Sequence, residues 1–153
     1  MDGSTVVLTM APDSVPYNLN YKLTISGVKG YNDSYSAISY YETTIALREN
    51  TRPAYKPDPV FDKTTMTAIK INFTETVLGT MTVKVSQIVG SNTIEIPVKS
   101  VDVNGSTATI NLAIPPSNNS LMYINIVSYD IKDLNGNSLA AMPSTIPLLI
   151  TYN

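Results

Sequence analysis

Apolar residues recur at every second position along this chain, and that spacing constrains the fold more than any other feature, because only an extended strand puts alternate side chains on one face. Ile69, Ile71 and Phe73 alternate with Lys70 and Asn72; Met81, Val83 and Val85 with Thr82 and Lys84; Ala108, Ile110 and Leu112 with Thr109 and Asn111. Ile94, Ile96 and Val98 do the same against Glu95 and Pro97, where an outward proline marks a sheet edge or a bulge. Further strands are expected around residues 6–10, 21–26, 43–47, 122–128 and 146–151. Each is short, one-sided and bounded by Gly, Pro, Asn or Asp, which predicts an all-β fold, an antiparallel sandwich of two facing sheets. Its core is expected to hold Ile69, Ile71, Phe73, Val83, Val85, Ile94, Ile96, Ile110, Leu112, Ile124, Ile126, Leu148 and Ile150.

Residues 51–59 contain Pro53, Pro57 and Pro59, each without an N–H and fixed in φ, so the segment is excluded from a sheet interior and reads as a linker. Residues 60–153 then carry about seven strand signals, the size and strand count of one complete immunoglobulin-like β-sandwich module. Residues 1–50 carry three. The two parts are self-similar: Ser4 to Leu8 matches Ser106 to Ile110, and Tyr21 to Lys29 matches Tyr123 to Lys132 with one extra residue in the second copy. A repeat at one module length implies a tandem array, and residues 1–50 then correspond to the back half of a module.

Composition excludes more than it assigns. The sequence holds no His, Cys or Trp, which removes imidazole bases, thiol nucleophiles, disulfides and the usual zinc ligands together. A net charge of -2 with 14% charged residues offers no cationic surface, so nucleic acid is not expected as a partner. Membrane insertion is not expected either, since the apolar stretch from Leu139 to Ile150 is broken by Pro143 and Pro147. Ser, Thr and Asn make up 47 of the 153 residues, an uncharged polar texture typical of extracellular β-proteins.

The run Ile69-Lys70-Ile71-Asn72-Phe73-Thr74-Glu75-Thr76-Val77 resembles the early strand of bacterial Ig-like modules. Tyr123 through Ile131-Lys132-Asp133-Leu134-Asn135-Gly136-Asn137-Ser138-Leu139-Ala140 resembles their closing half, a strand opening on Tyr and ending in a Lys-Asp-x-x-Gly-Asn turn. The similarity is to the tandem modules of Gram-positive surface-layer (S-layer) proteins, which also occur on secreted enzymes and adhesins. It implies a bacterial cell-surface, extracellular location and a structural role in a self-assembling lattice, with neighbouring copies or modules of the same protein as partners. The alternative it leaves open is a binding or accessory module of an adhesin or of a secreted polysaccharide-degrading enzyme.

Two constellations stand out. Asp133, Asn135 and Asn137 place oxygen ligands on alternate residues of a turn, the opening of a calcium loop, and calcium is the one cofactor the sequence suggests; the same residues also spell a simple Asn-Gly turn. Ser144 stands where a calcium loop would close on an acid. Tyr31, Tyr35, Tyr40 and Tyr41 cluster in one region and form a candidate interaction surface, for cell-wall glycan or for another module, against the plain alternative of strand packing. No catalytic residue is expected, because the carboxylates, such as Glu42, Glu95 and Asp102, fall on outward strand positions or turns and lack a cleft to share. The apolar residues of the first fifty, among them Leu8, Met10, Leu23, Ile25, Ile45 and Leu47, outnumber what three strands can cover, which calls for a partner surface.

Overall fold

Ten antiparallel strands make up the regular structure in the computed structural model, which describes residues 5–29 and 40–152. The chain divides into two units, Met1–Thr51 and Arg52–Asn153. The first holds β1 (Leu19–Ile25) and β2 (Tyr41–Leu47), paired in register from Leu19↔Leu47 to Ile25↔Tyr41. The second holds β3 (Tyr55–Asp62), β4 (Ala68–Phe73), β5 (Val77–Val89), β6 (Asn92–Ile96), β7 (Val98–Asn104), β8 (Thr107–Leu112), β9 (Ser120–Asp133) and β10 (Thr145–Ile150). These form two four-stranded sheets, ordered β10-β9-β5-β6 and β3-β4-β8-β7. The expected all-β, Ig-like sandwich is present.

Alternation explains the core. Ile69, Ile71 and Phe73 of β4, Val83 and Val85 of β5, Ile96 of β6, Ile110 and Leu112 of β8, Ile124 of β9 and Ile150 of β10 are buried together as expected. Ile126 and Leu148 are half-buried against this cluster. Ile94 is 44% exposed, because β6 is the edge of its sheet and only its last residue reaches the core.

Four features depart from the expected plan, each for a physical reason. Residues 51–59 are not all linker: from Tyr55 they belong to β3, which contains Pro57 and Pro59. An edge strand tolerates missing N–H donors, and the ladder to β4 breaks across the prolines, between Lys56 and Val60. The run from Ile94 to Val98 is not one strand, because Pro97 separates β6 from β7 and the chain changes sheets there. Residues 6–10 form no strand; Val6, Val7 and Leu8 are consecutive rather than alternating apolar residues. Strand β9 continues past residue 128 to Asp133, because a bulge at Val127 leaves that residue without a partner between Ile126↔Val83 and Ser128↔Thr82. Beyond it the inward phase shifts from Met122 and Ile124 to Ile131 and Asp133.

The same phase logic corrects the repeat. Matching Tyr21 with Tyr123 sets Lys22 against the buried Ile124, a one-residue slip that reverses the strand's faces. The offset that Lys29 shares with Lys132 restores the phase, placing Tyr21 on Ile124 and Leu23 on Ile126.

Gly79 of β5 sits at φ +132°, and a Cβ there would lie 1.9 Å from the backbone oxygen of Asp130 in β9. The two longest strands approach too closely at this point for any side chain. Gly79→Ala is therefore expected to destabilise the second unit by about 2 kcal/mol or more, from left-handed backbone strain together with the clash. Phe73→Ala, which empties the centre of the core, is expected to cost about 3–5 kcal/mol. Urea unfolding of the two variants checks both; a wild-type midpoint for Phe73→Ala would place that ring outside the core.

Candidate functional site

The Asp133 turn is built by the end of β9. Because the bulge brings Asp133 into the inward phase, its carboxylate is buried under the loop that follows rather than facing water. Oδ1 accepts the backbone N–H groups of Asn135 and Asn137, each at 2.8 Å, and Oδ2 accepts the Asn137 side-chain amide at 2.7 Å. The Asp133 N–H donates to the Asn137 carbonyl at 3.0 Å, the Gly136 N–H to the Asp133 carbonyl at 3.2 Å, and Gly136 takes φ +90°. Leu139 then rejoins β9 through its N–H on the Ile131 carbonyl. Three donors converge on the carboxylate. Ser144 lies across the hairpin, its carbonyl accepting the Ile126 N–H. Among the described residues no group of three or more acidic, His or Cys side chains is placed to hold a metal. The geometry is that of a turn clamp.

The tyrosine cluster is divided. Tyr31 and Tyr35 lie outside the described residues. Tyr41 opens β2 and pairs with Ile25, on the hairpin face that also carries Tyr21, Leu23, Ile45 and Leu47. The Tyr40 hydroxyl instead donates to Glu42 on the opposite face, where Lys22 closes an ion pair with the same carboxylate at 2.7 Å. Tyr40 and Tyr41 are 59% and 51% exposed, but they serve different faces and make no common stacking platform.

The apolar face of the hairpin forms a groove of about 310 Å³ lined by Leu8, Met10, Tyr21, Leu23, Ile45 and Leu47, with Lys22 at its rim. The sequence points to Leu8, Met10, Leu23, Ile45 and Leu47 as residues in need of cover, but not to Tyr21 beside them, nor to how the end of the hairpin is fastened. The Asn18 carboxamide oxygen accepts the Glu49 N–H at 2.8 Å, and Asn50 holds Val15 N–H and the Ala11 carbonyl through its own side chain. An equivalent device closes the second unit, where the Asn118 oxygen accepts the Tyr152 N–H at 2.6 Å. The shared Pro-x-Asn spelling, Pro16-Tyr17-Asn18 and Pro116-Ser117-Asn118, was the available signal.

Polar groups inside the sandwich are committed to structure. Gln87, on the inward phase of β5, uses its carboxamide oxygen to accept the Ser117 N–H at 2.7 Å and the Ser120 hydroxyl at 3.4 Å, which holds the loop entering β9. No buried side-chain nitrogen or oxygen lacks a partner among the described residues.

A family model described as the bacterial Ig-like domain matches residues 49–151, more than half of the chain. The chain belongs to the bacterial Ig-like domain family. Modules of this family occur in bacterial surface or extracellular proteins and are generally non-catalytic. No curated protein and no solved structure gives a significant match. The family match covers all eight strands of the second unit of this Ig-like chain, the Asp133 clamp included.

Removing the clamp's acceptor in the Ig-like unit leaves three donors around an empty space, so Asp133→Ala is expected to destabilise by about 2–4 kcal/mol, and Asp133→Asn, which keeps an acceptor oxygen, by less. Calcium at this turn has its own test: a chelator-induced fall in melting temperature that Asp133→Ala abolishes would support it, and indifference to chelator would leave the turn clamp alone. On the hairpin, Lys22 first and the Tyr40 hydroxyl second hold the Glu42 carboxyl below the ordinary carboxylate value. A carboxyl depressed on folding stabilises above its unfolded pKa, and that contribution is lost as pH falls through the folded value. Lys22→Met is therefore expected to raise the Glu42 midpoint in an NMR titration; an unmoved midpoint would contradict the pair.

Proposed function

We propose that this chain is a non-catalytic structural module of a self-assembling bacterial cell-surface protein of the S-layer kind, serving as spacer and lattice contact between neighbouring copies. The observation that carries this reading is the state of the interior. The core is hydrocarbon, and its buried polar groups, Gln87, Ser120 and Asp133, are bonded to turns and loops. A sandwich made this way transmits position and load and needs no reactive group, which agrees with a sequence without His or Cys.

A second reading has a specific observation behind it: Tyr40 and Tyr41 are both exposed near the start of β2. In an accessory module of an adhesin or a polysaccharide-degrading enzyme, either ring would stack on a pyranose face of cell-wall glycan. Electron microscopy of the purified chain, with and without calcium, together with pull-down on isolated cell walls, separates the two. The structural reading predicts extended assemblies whose formation survives Tyr40→Ala and Tyr41→Ala. Dispersed monomers that bind wall polysaccharide saturably, and lose that binding in either variant, would overturn it in favour of the accessory module.

A further inference from the structure

Three contacts, taken in chain order, set the direction of the first and last strands of the second unit. Ahead of both strands, the Ala140 N–H donates to the Pro53 carbonyl at 2.9 Å. Tyr55, Pro57 and Pro59 of β3 then share one groove with Pro143, Ile146 and Pro147, at and just before the first half of β10. Past the end of β10, the Tyr152 ring meets that of Phe61, the last residue but one of β3, with centroids 5.9 Å apart. Strands β3 and β10 therefore run parallel along one flank of the sandwich, one in each sheet, and the chain enters this unit at one end of the flank and leaves at the other. From this geometry we infer that the second unit bears tension along the chain, with β3 and β10 as a latch loaded in shear.

A pull on the chain before Arg52 and after Tyr152 drives the two strands in opposite directions along their own axes, from points about 25 Å apart for a strand of this length. Ladder hydrogen bonds lie perpendicular to such a pull, so those of β3 on β4 and of β10 on β9 load together instead of opening one by one. The prolines of β3 interrupt its ladder between Lys56 and Val60, and fastenings outside the strands add to what remains. At the entry, Thr74 N–H donates to the Ala54 carbonyl and Ala54 N–H to the Thr74 hydroxyl, each at 2.9 Å. At the exit, Tyr152 is held by its N–H on the Asn118 oxygen and by its hydroxyl on the Pro116 carbonyl, as well as by Phe61. The inference rests on the structural role proposed above, since it names how that role carries load; microscopy reads assembly and force reads the latch, so the two fail separately.

The test is a single-molecule force clamp on the full chain, with handles on introduced cysteines, which a sequence without Cys makes specific. Thr51→Cys with Asn153→Cys pulls along the flank. Thr51→Cys with Thr76→Cys pulls across it, because both handles lie at the end of the β3–β4 pair where Tyr55 is matched with Phe73. At one force, the first opening along the flank is expected to be at least about tenfold slower than the first opening across it. Adding Tyr152→Ala is expected to shorten the lifetime along the flank and leave that across it unchanged, which separates loss of the exit fastening from loss of general stability. Equal lifetimes in the two geometries would overturn the inference, as would equal shortening of both by Tyr152→Ala.

Discussion

The close pairing of β5 with β9 is the interaction on which the rest of the sandwich depends. These are the two longest strands, side by side in the centre of one sheet, and every other strand of that sheet is added to one of them. Their ladder runs from Val77↔Asp133 to Ile88↔Leu121 and needs two local devices to do so. Gly79 lets the backbones meet where a Cβ would strike Asp130, and the bulge at Val127 shifts the phase of β9 by one residue. That shift turns Ile131 and Asp133 inward, so a carboxylate arrives under its own loop and the loop folds around it. The Asp133 clamp is thus a consequence of the bulge six residues earlier in the same strand.

How far this could be read from sequence depends on whether the alternation was left undisturbed. Strands β4 and β8 are plain, and their buried residues follow from period two alone. The first half of β9 is equally plain; the second half was hidden because Val127, Ser128, Tyr129 and Asp130 interrupt the pattern at the bulge. Strand β3 was hidden by its prolines, which rule out a sheet interior but not an edge. Pro97 was visible as an irregularity, yet nothing in the sequence distinguishes a bulge from a change of sheet, since both need only a missing donor. The site followed the same rule. Alternate oxygens at Asp133, Asn135 and Asn137 are spelled identically for a cation loop and for a turn; what the sequence did not spell is that the loop's own N–H groups close on the Asp133 carboxylate. Tyr40 and Tyr41 are sequence neighbours, and at the start of a strand neighbours serve opposite faces.

The two units differ in what they leave open. In Arg52–Asn153 the apolar faces of two four-stranded sheets meet, and the prolines within strands, Pro57 and Pro59 of β3 and Pro147 of β10, lie on edge strands, where they discourage pairing with other chains. In Met1–Thr51 a two-stranded sheet carries an apolar groove with Leu8 and Met10 along it. Among the described residues, ion pairs such as Lys22–Glu42 lie outside, and the interior of the sandwich offers hydrocarbon and satisfied hydrogen bonds.

Isolated two-stranded sheets are marginal in water, whereas three or more strands with a covered face are stable on their own. If that distinction governs this chain, native-state hydrogen exchange of the chain by itself, followed against increasing urea, will resolve two levels of opening. Central amides of β5 and β9 are predicted to exchange only through global unfolding of the sandwich, and those of β1 and β2 through a separate opening of much lower free energy and weaker urea dependence. A single common free energy for all four strands would contradict the account, because it would show that the hairpin is already complete.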